Sequence, residues 1–254
     1  MLKVFEEERQ EEIARLKDNT TESFFTKETI ADLPDPIKKY MHATGYINKP
    51  IMYNADVVWK ESYIKLQPDK DWSQLETRQF NSINPIVRIA YMKFLTMPVT
   101  GRDIYRDGIG EMKGKLFNFI PIINGKGKEV SQSSLITVFC EFLFIPSYIL
   151  GDYVTWETVD KNTVKARLIN NGFDVTGLFH FDDEGLFTRF ETNDRYYGYG
   201  KKSKKVKFSA IVDSYQVVDD IKIPLDVRIV WHSEEGDYEY YKGTIEKIVF
   251  NVNQ

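Results

Sequence analysis

The stretch Leu135–Leu150, LITVFCEFLFIPSYIL, constrains the fold more than any other part of the chain, because it is almost wholly apolar. Its one formal charge is Glu141, and its apolar residues up to Phe144 cover every side of a helical wheel. A helix that is apolar all round is buried. A membrane span takes about 20 apolar residues, whereas this stretch is shorter and is interrupted by Pro146. We therefore predict a core helix from about Ser131 to Phe144.

Most of the chain after residue 51 alternates between apolar and polar residues with a period of two, which is typical of β-strands with one buried face. Within 225–231, for example, the odd positions are apolar and Asp226 and Arg228 lie between them. Short turn sequences such as Asp107-Gly108 and Asn171-Gly172 separate the strands. Strands do not alternate with helices, so a doubly wound α/β fold is excluded. We predict a mainly β (α+β) fold: a large curved antiparallel sheet, or half-barrel, of about ten strands wrapped over the buried central helix, with short N-terminal helices.

Two strand segments give more detail about how the helix lies on the sheet. Residues 86–97 are apolar on both faces, so this strand is expected to be central and covered on both sides. In 109–117, Gly110 and Gly114 share one face, which predicts a close approach of the helix backbone or a bend in the sheet. Residues 119–128 contain Pro121 and are predicted to form a crossing loop.

The chain is predicted to consist of an N-terminal helical extension, residues 1–30, and a single half-barrel domain, residues 31–254. The extension contains a helix over residues 3–17 whose Glu-rich face is expected to be solvated, followed by a polar link from Asp18 to Ser23. Residues 1–19 lack the apolar core of a secretory signal. We expect a protein that is soluble as given, either cytoplasmic or tethered at the cell envelope through an N-terminal membrane anchor missing from this sequence.

Composition excludes several function classes. The net charge of −4 argues against a general nucleic-acid binder, and the basic and aromatic run RYYGYGKKSKK is more typical of a loop between strands. The histidines share no metal-binding spacing, and Cys140 has no partner cysteine. No nucleophile or phosphate-binding motif is present. We therefore expect no metal, no cofactor, no catalytic residues and no nucleic-acid partner.

Glu141 is the main candidate for function, because a carboxylate in an apolar helix is costly unless it is paired or hydrogen-bonded. In one interpretation it faces a cavity, where it holds a polar ligand group or acts as a general acid or base. In the other it pairs with an arginine of the sheet and fixes how the helix docks. Arg102, Arg106 and Arg167 are the arginines considered for that pair. Tyr105 and Arg106, at a strand end, are also predicted to line a pocket mouth, although an exposed strand face explains at least Arg106 better.

Four segments, in order along the chain, resemble an uncharacterised bacterial protein family of unknown function, many of whose members carry N-terminal membrane segments. They are LPDPIKKYMHATG, DIYRDGIGEMKGKLFNFIPIINGKGKEV, EFLFIPSYILGDYVTWETVD and IPLDVRIVWHSEEGDYEYYKGTIEKI. The residues that match the family pattern are Tyr105, Gly108, Gly110, Met112, Glu141, Pro146, Trp156 and Trp231. The chain departs from that pattern at Phe144-Ile145, where the family tends to have Trp-Phe. It also departs at Tyr148, where the family tends to have a small residue. These departures imply a changed cavity shape beside Glu141.

The family pattern is similar to the lipoprotein-carrier half-barrel fold, whose members mostly hold lipid or other apolar cargo, and this resemblance implies a binding function. The first hypothesis is a non-enzymatic protein that holds a lipid-like or other apolar or amphipathic small molecule in the concave face of the sheet. The predicted ligand-binding residues are Glu141, Tyr105, Arg106, Trp156 and Met112. The alternatives are an enzyme on the same scaffold with Glu141 as acid or base, and a structural or interaction module at the envelope with a filled core.

Overall fold

The computed structural model describes residues 1–16, 23–198 and 200–253. The α-helices are α1 (Leu2–Leu16), α2 (Asp35–Ala43) and α3 (Lys128–Cys140), and 3-10 helices lie at Pro146–Leu150 and Gly200–Lys202. The first strands are β1 (Asn54–Ile64), β2 (Ser73–Ser82), β3 (Val87–Phe94), β4 (Val99–Arg106), β5 (Ile109–Leu116) and β6 (Ile120–Gly125). The next are β7 (Val154–Asp160), β8 (Thr163–Asn170), β9 (Phe173–Phe181), β10 (Phe187–Thr192), β11 (Tyr196–Tyr197) and β12 (Lys204–Lys205). The last are β13 (Lys207–Val212), β14 (Tyr215–Val218), β15 (Ile221–Pro224), β16 (Asp226–Ser233) and β17 (Gly236–Phe250).

Thirteen of the described strands form one antiparallel sheet, in the order β6-β5-β4-β3-β2-β1-β17-β16-β13-β10-β9-β8-β7. The sheet is not closed, so β6 and β7 are its two edges. The predicted half-barrel class is confirmed. The sheet has thirteen strands rather than about ten. One of the additional strands is the edge strand β6, formed by residues 120–125, so the predicted loop over 119–128 was wrong. A tight turn at Phe117-Asn118 reverses the chain there, with the Phe119 N–H donating to the Leu116 carbonyl oxygen at 3.3 Å.

Helix α3 lies between the two wings of the sheet, which is why the sheet curves. On one wing, the ring of Phe139 is 5.5 Å from that of Phe179 and 5.1 Å from that of Phe190. On the other wing, a Cβ added at Gly110 would lie 2.6 Å from the Cα of Ser131. The predicted buried core helix and the predicted close approach at Gly110 are therefore confirmed. A Cβ at Gly114 would instead meet the side chain of Ile123, on β6.

The helix covers Lys128–Cys140 and ends before the predicted Phe144. After Cys140 the backbone tightens, because the N–H of Glu141 donates to the carbonyl of Val138 and that of Phe142 to Phe139. Hydrogen bonds between residues three apart, as in a 3-10 helix, are common at helix ends. Pro146 then begins the 3-10 helix. An α-helix could not continue through Pro146, because proline has no backbone N–H to donate. The core segment is thus a helix followed by tight turns, and Glu141 lies at the junction.

The convex face of the sheet is covered by α1, whose Phe5 and Ile13 pack with Val87 and Ile89 of β3. Strand β3 is therefore covered on both sides over residues 87–91, as predicted, whereas Met92 and Phe94 at its other end are half-buried. The Glu-rich face of α1 is not simply solvated, because several of its carboxylates pair with arginines of the sheet. These pairs are Glu8 with Arg102, and Glu11 and Glu12 with Arg106. The predicted polar link at residues 18–23 lies mostly outside the described residues.

Helix α3 fills only one end of the concave face. Its contacts with Gly110 and its link through Glu141 to Asn81 lie near the β2–β3 and β4–β5 turns. In an antiparallel meander, the β1–β2, β3–β4 and β5–β6 turns lie at the opposite end. The inward-facing residues near those turns are not covered by the helix. We call this uncovered part of the concave face the open groove, and its apolar members are Trp59, Met92, Phe94, Val99, Met112 and Leu116.

Candidate functional site

Glu141 is held by a network of polar side chains from the concave face of the sheet. The Nε of Arg88 donates to its two carboxylate oxygens at 2.9 and 3.0 Å. The amide nitrogens of Gln79 and Asn81 donate to Oε2 at 2.9 and 3.2 Å. Arg88 also donates through Nη1 to Asp103 at 3.2 Å. Both oxygens of Glu141 therefore have donors within the protein, and the residue is 7% exposed.

This environment is that of a structural ion pair. Burial raises the pKa of the Glu141 carboxyl, and the charge of Arg88 opposes that shift. Burial likewise raises the pKa of the neighbouring Cys140 thiol to about 12, so this cysteine is a thiol at neutral pH. An acid or base needs access to a substrate proton, whereas Glu141 is buried and both of its oxygens accept bonds from side chains of the sheet. The arrangement matches the sequence hypothesis of a docking ion pair, with an arginine that was not considered.

The pleat of the sheet explains why Arg88 is the partner. Alternate residues of a strand point to opposite faces, and on β4 Arg102 and Arg106 point to the convex face, where they pair with α1. Arg167, on β8, pairs with Asp174 at an exposed position. Arg106 therefore does not join Glu141 or a pocket mouth on the concave face. On β3, Arg88 points to the concave face and reaches the carboxylate.

The other sequence-predicted residues lie apart from one another. Tyr105 is buried at the filled end, where its hydroxyl donates to Oδ1 of Asn170 at 2.6 Å. Trp156, on β7, donates its indole N–H to the Ile149 carbonyl at 3.2 Å and packs against Phe179. Met112 lies on the concave face of β5 and is half-buried. Of the five predicted residues, Met112 alone belongs to the open groove.

The open groove is apolar and accessible to solvent. Its floor crosses neighbouring strands in register, since Met92 pairs with Thr77 on one side and with Gly101 on the other, and Gly101 pairs with Gly114. The side chain of Met92 contacts the site of a Cβ at Gly101, and that of Ile123 packs over Gly114. All of its apolar members, from Trp59 to Leu116, are half-buried. The groove thus exposes contiguous apolar surface on the inside of the sheet.

A cation lies at the boundary between the open groove and α3. Arg195 donates through Nη1 to the Ser133 carbonyl at 3.0 Å and to Oγ1 of Thr137 at 2.6 Å. Its guanidinium carbon lies 4.3 Å from the ring centre of Phe208 and 5.5 Å from that of Trp231. Its Nε is buried and has no hydrogen-bond partner among the described residues. Nor does a carboxylate of the described chain form an ion pair with it, unlike Arg88.

Tyr240, on β17, lies on the concave side of the sheet beside Trp231. It is half-buried and its ring packs 6.0 Å from that of Trp231. Burial raises the pKa of its hydroxyl, the charge of Asp103 adds to this shift, and the charges of Arg195 and Arg88 oppose it. Tyr240 and Arg195 thus both pack against Trp231.

Sequence analysis missed Arg88 and Arg195. Arg88 had a usable signal, because it is a charge within a strand predicted to be covered on both sides, and Glu141 is the charge within the buried helix. Two unpaired buried charges of opposite sign predict each other as partners. Arg195 lies in the RYYGYGKKSKK run, which was considered only for nucleic acid. Its proximity to α3 depends on the loop path, which no local pattern reveals.

Two depressions of the surface lie away from the groove. One of about 510 Å³ follows the exposed side of α1 at Lys3, Glu6 and Gln10. Another of about 240 Å³ lies on the outer face of β8, β9 and β10, and includes Lys165, Glu191 and Lys207. Neither lies on the concave face. No metal-binding cluster and no helix long and apolar enough to cross a membrane occur in the described part of the chain.

Comparison with known proteins identifies a family. Residues 23–243 match a family of unknown function, DUF6544. No curated protein matches the chain significantly. The structure is similar to that of a DUF1329 family protein from Desulfovibrio piger, with a TM-score of 0.46, 11% identity and coverage of 91% of this chain and 95% of that chain. It is also similar to a LolA superfamily protein from Nitrosomonas europaea, with a TM-score of 0.44, 9% identity and coverage of 86% and 93%.

Proposed function

We propose that this chain, which belongs to the DUF6544 family of unknown function, is a non-enzymatic binding protein that holds an amphipathic small molecule in the open groove. The observation that carries the proposal is the contiguous apolar surface from Trp59 to Leu116, which α3 leaves uncovered. Apolar surface of this kind, when it is concave and has a few polar groups at one end, is typical of ligand sites. The apolar part of the ligand would lie against Met92, Phe94 and Met112.

Arg195 and Tyr240 would form the polar end of the groove, and they favour an anionic head group. Arg195 has a buried Nε without a partner and no paired carboxylate in the described chain. A carboxylate or phosphate oxygen placed beside its guanidinium would supply the missing counter-charge. The hydroxyl of Tyr240 is available to donate a second hydrogen bond. A long-chain carboxylic acid or a phospholipid fits this chemistry. Without Arg195 and Tyr240, the open groove would favour a neutral apolar molecule instead.

The two alternatives from the sequence fare differently. An enzyme with Glu141 as acid or base needs a carboxylate that reaches solvent, and Glu141 instead accepts bonds from Arg88, Gln79 and Asn81. The interaction-module alternative requires a filled core, and the concave face is filled at the end that α3 occupies. The half-buried apolar residues at the other end favour a binding groove there.

Titration with a dansyl-labelled fatty acid tests the proposal. We expect saturable binding by the wild-type protein, with a rise in dansyl fluorescence as the label enters the groove. Arg195→Met should weaken binding of the acid by about tenfold or more, because a charge-assisted hydrogen bond contributes about 1.5–3 kcal/mol. The same variant should bind the uncharged methyl ester as the wild type does, which also checks that the groove is intact.

Arg167→Met is the matched control, because Arg167 is on the outer face of the sheet and pairs with Asp174. It should leave both affinities unchanged. Absence of saturable binding by the wild type would overturn the proposed function. Equal affinities of wild type and Arg195→Met for the acid would remove Arg195 from the site.

A further inference from the structure

The β5–β6 hairpin presents a group of apolar side chains to solvent. Phe117 and Phe119 are 56% and 70% exposed, and their rings stack with centres 6.4 Å apart. Ile120, Ile122 and Ile123 follow on the edge strand β6 and are also exposed. Scattered exposed apolar residues are normal, but a contiguous group of this kind marks an interaction surface.

The turn that displays these rings is conformationally unfavourable. Phe117 has φ of 52° and Asn118 has φ of 66°, which is the backbone of a tight hairpin turn. Asparagine and glycine suit such positions, whereas a bulky residue with positive φ is an outlier. Strained positions of this kind cluster at functional sites. The strain therefore favours a role for the exposed Phe117 ring in contacting another molecule rather than in packing the core.

The charge around the hairpin is basic in a protein whose net charge is −4. Residues 111–126 contain Lys113, Lys115 and Lys126 and a single acidic residue, Glu111. Glu111 pairs with both Lys113 and Lys126, while Lys115, which lies opposite Pro121 beside the turn, forms no ion pair within the described residues. An apolar tip beside this net positive charge is complementary to an anionic phospholipid surface, where acyl chains lie below negatively charged head groups.

We propose that this hairpin docks the protein on an anionic bilayer, with Phe117, Phe119 and Ile120 inserted into the interface and Lys115 on the head groups. Pairing of β6 with a strand of another protein is disfavoured, because Pro121 and the register shift at Gly114/Lys115 interrupt the edge. The hairpin lies at the end of the sheet where the open groove begins, next to Leu116. The docking proposal stands on its own surface and does not depend on ligand binding in the groove.

Co-sedimentation of the full chain with lipid vesicles tests the docking. We expect binding to vesicles that contain phosphatidylglycerol and much weaker binding to pure phosphatidylcholine. Phe117→Ser with Phe119→Ser should reduce the partition coefficient about tenfold or more through the loss of buried apolar area. Lys115→Glu should reduce it about fivefold or more, and only on the anionic vesicles.

Val159→Ser with Ile169→Ser is the matched control, because both side chains are similarly exposed on the opposite wing of the sheet. This variant should bind as the wild type does, and all variants should keep the wild-type melting temperature. Failure of the wild type to bind anionic vesicles would overturn the proposal and leave a protein partner as the occupant of the hairpin. Undiminished binding by the Phe117 and Phe119 double variant would overturn it equally.

Discussion

Arg88→Ala lowers the free energy of unfolding by about 3–5 kcal/mol in our expectation, which is the usual loss when one partner of a buried ion pair is removed. The reason is that Glu141 and Asp103 both lose the cation that neutralises them. Gln79 also loses a donor to its side-chain oxygen. Urea denaturation followed by circular dichroism measures the change. A loss below about 1 kcal/mol would contradict a structural role for this network.

Glu141→Gln is the informative companion variant, because it removes the charge while keeping the shape of the side chain. Arg88 keeps Asp103 as a counter-ion, so we expect a smaller loss of about 1–2 kcal/mol. Arg167→Ala serves as the surface control, since the Arg167–Asp174 pair is exposed. Its effect should stay within about 1 kcal/mol.

Gly110→Ala is the second substitution with a large expected effect, and it tests how α3 docks. The new Cβ would lie 2.6 Å from the Cα of Ser131 and 2.6 Å from Oγ of Ser134, so the helix backbone must move. The movement would also disturb the hydrogen bond from the Gly110 N–H to Oγ of Ser131. Overpacking of this kind costs about 1–3 kcal/mol. The free energy of unfolding, again from urea denaturation, measures it.

Gly101→Ala is the matched control for Gly110→Ala. Gly101 lies on the adjacent strand β4, and its added Cβ would meet Met92 at an ordinary 3.6 Å. Because alanine in a strand is no worse than glycine, we expect no loss of stability. If Gly110→Ala is no less stable than Gly101→Ala, the close approach of α3 to the sheet at Gly110 is contradicted.

Local patterns in the sequence predicted the architecture because each rests on a period or a composition. The wholly apolar helical wheel around Glu141 indicated a buried helix, and the period of two after residue 51 indicated strands. Gly110 was predicted to be a point of close approach because it lies with Gly114 on one face of its strand. These features depend on neighbours in the sequence, so the sequence carries them directly.

The site was predicted less well because it depends on long-range register. Arg106 follows Tyr105 in the chain, yet the pleat places the two side chains on opposite faces of β4. Arg88 reaches Glu141 only because β3 is central and its even positions face α3. The open groove arises from how far α3 extends across the sheet, which is a property of the packed molecule.

The most direct test of a groove that binds an amphiphile is native mass spectrometry of the full chain, purified from its host without detergent. The account predicts a fraction of protein that carries one additional mass, released on denaturation as a long-chain carboxylic acid or phospholipid. Met92→Lys, which places a charge on the groove floor, should abolish that fraction while the protein remains folded. A protein of unmodified mass that also fails to take up added fatty acid would contradict the account.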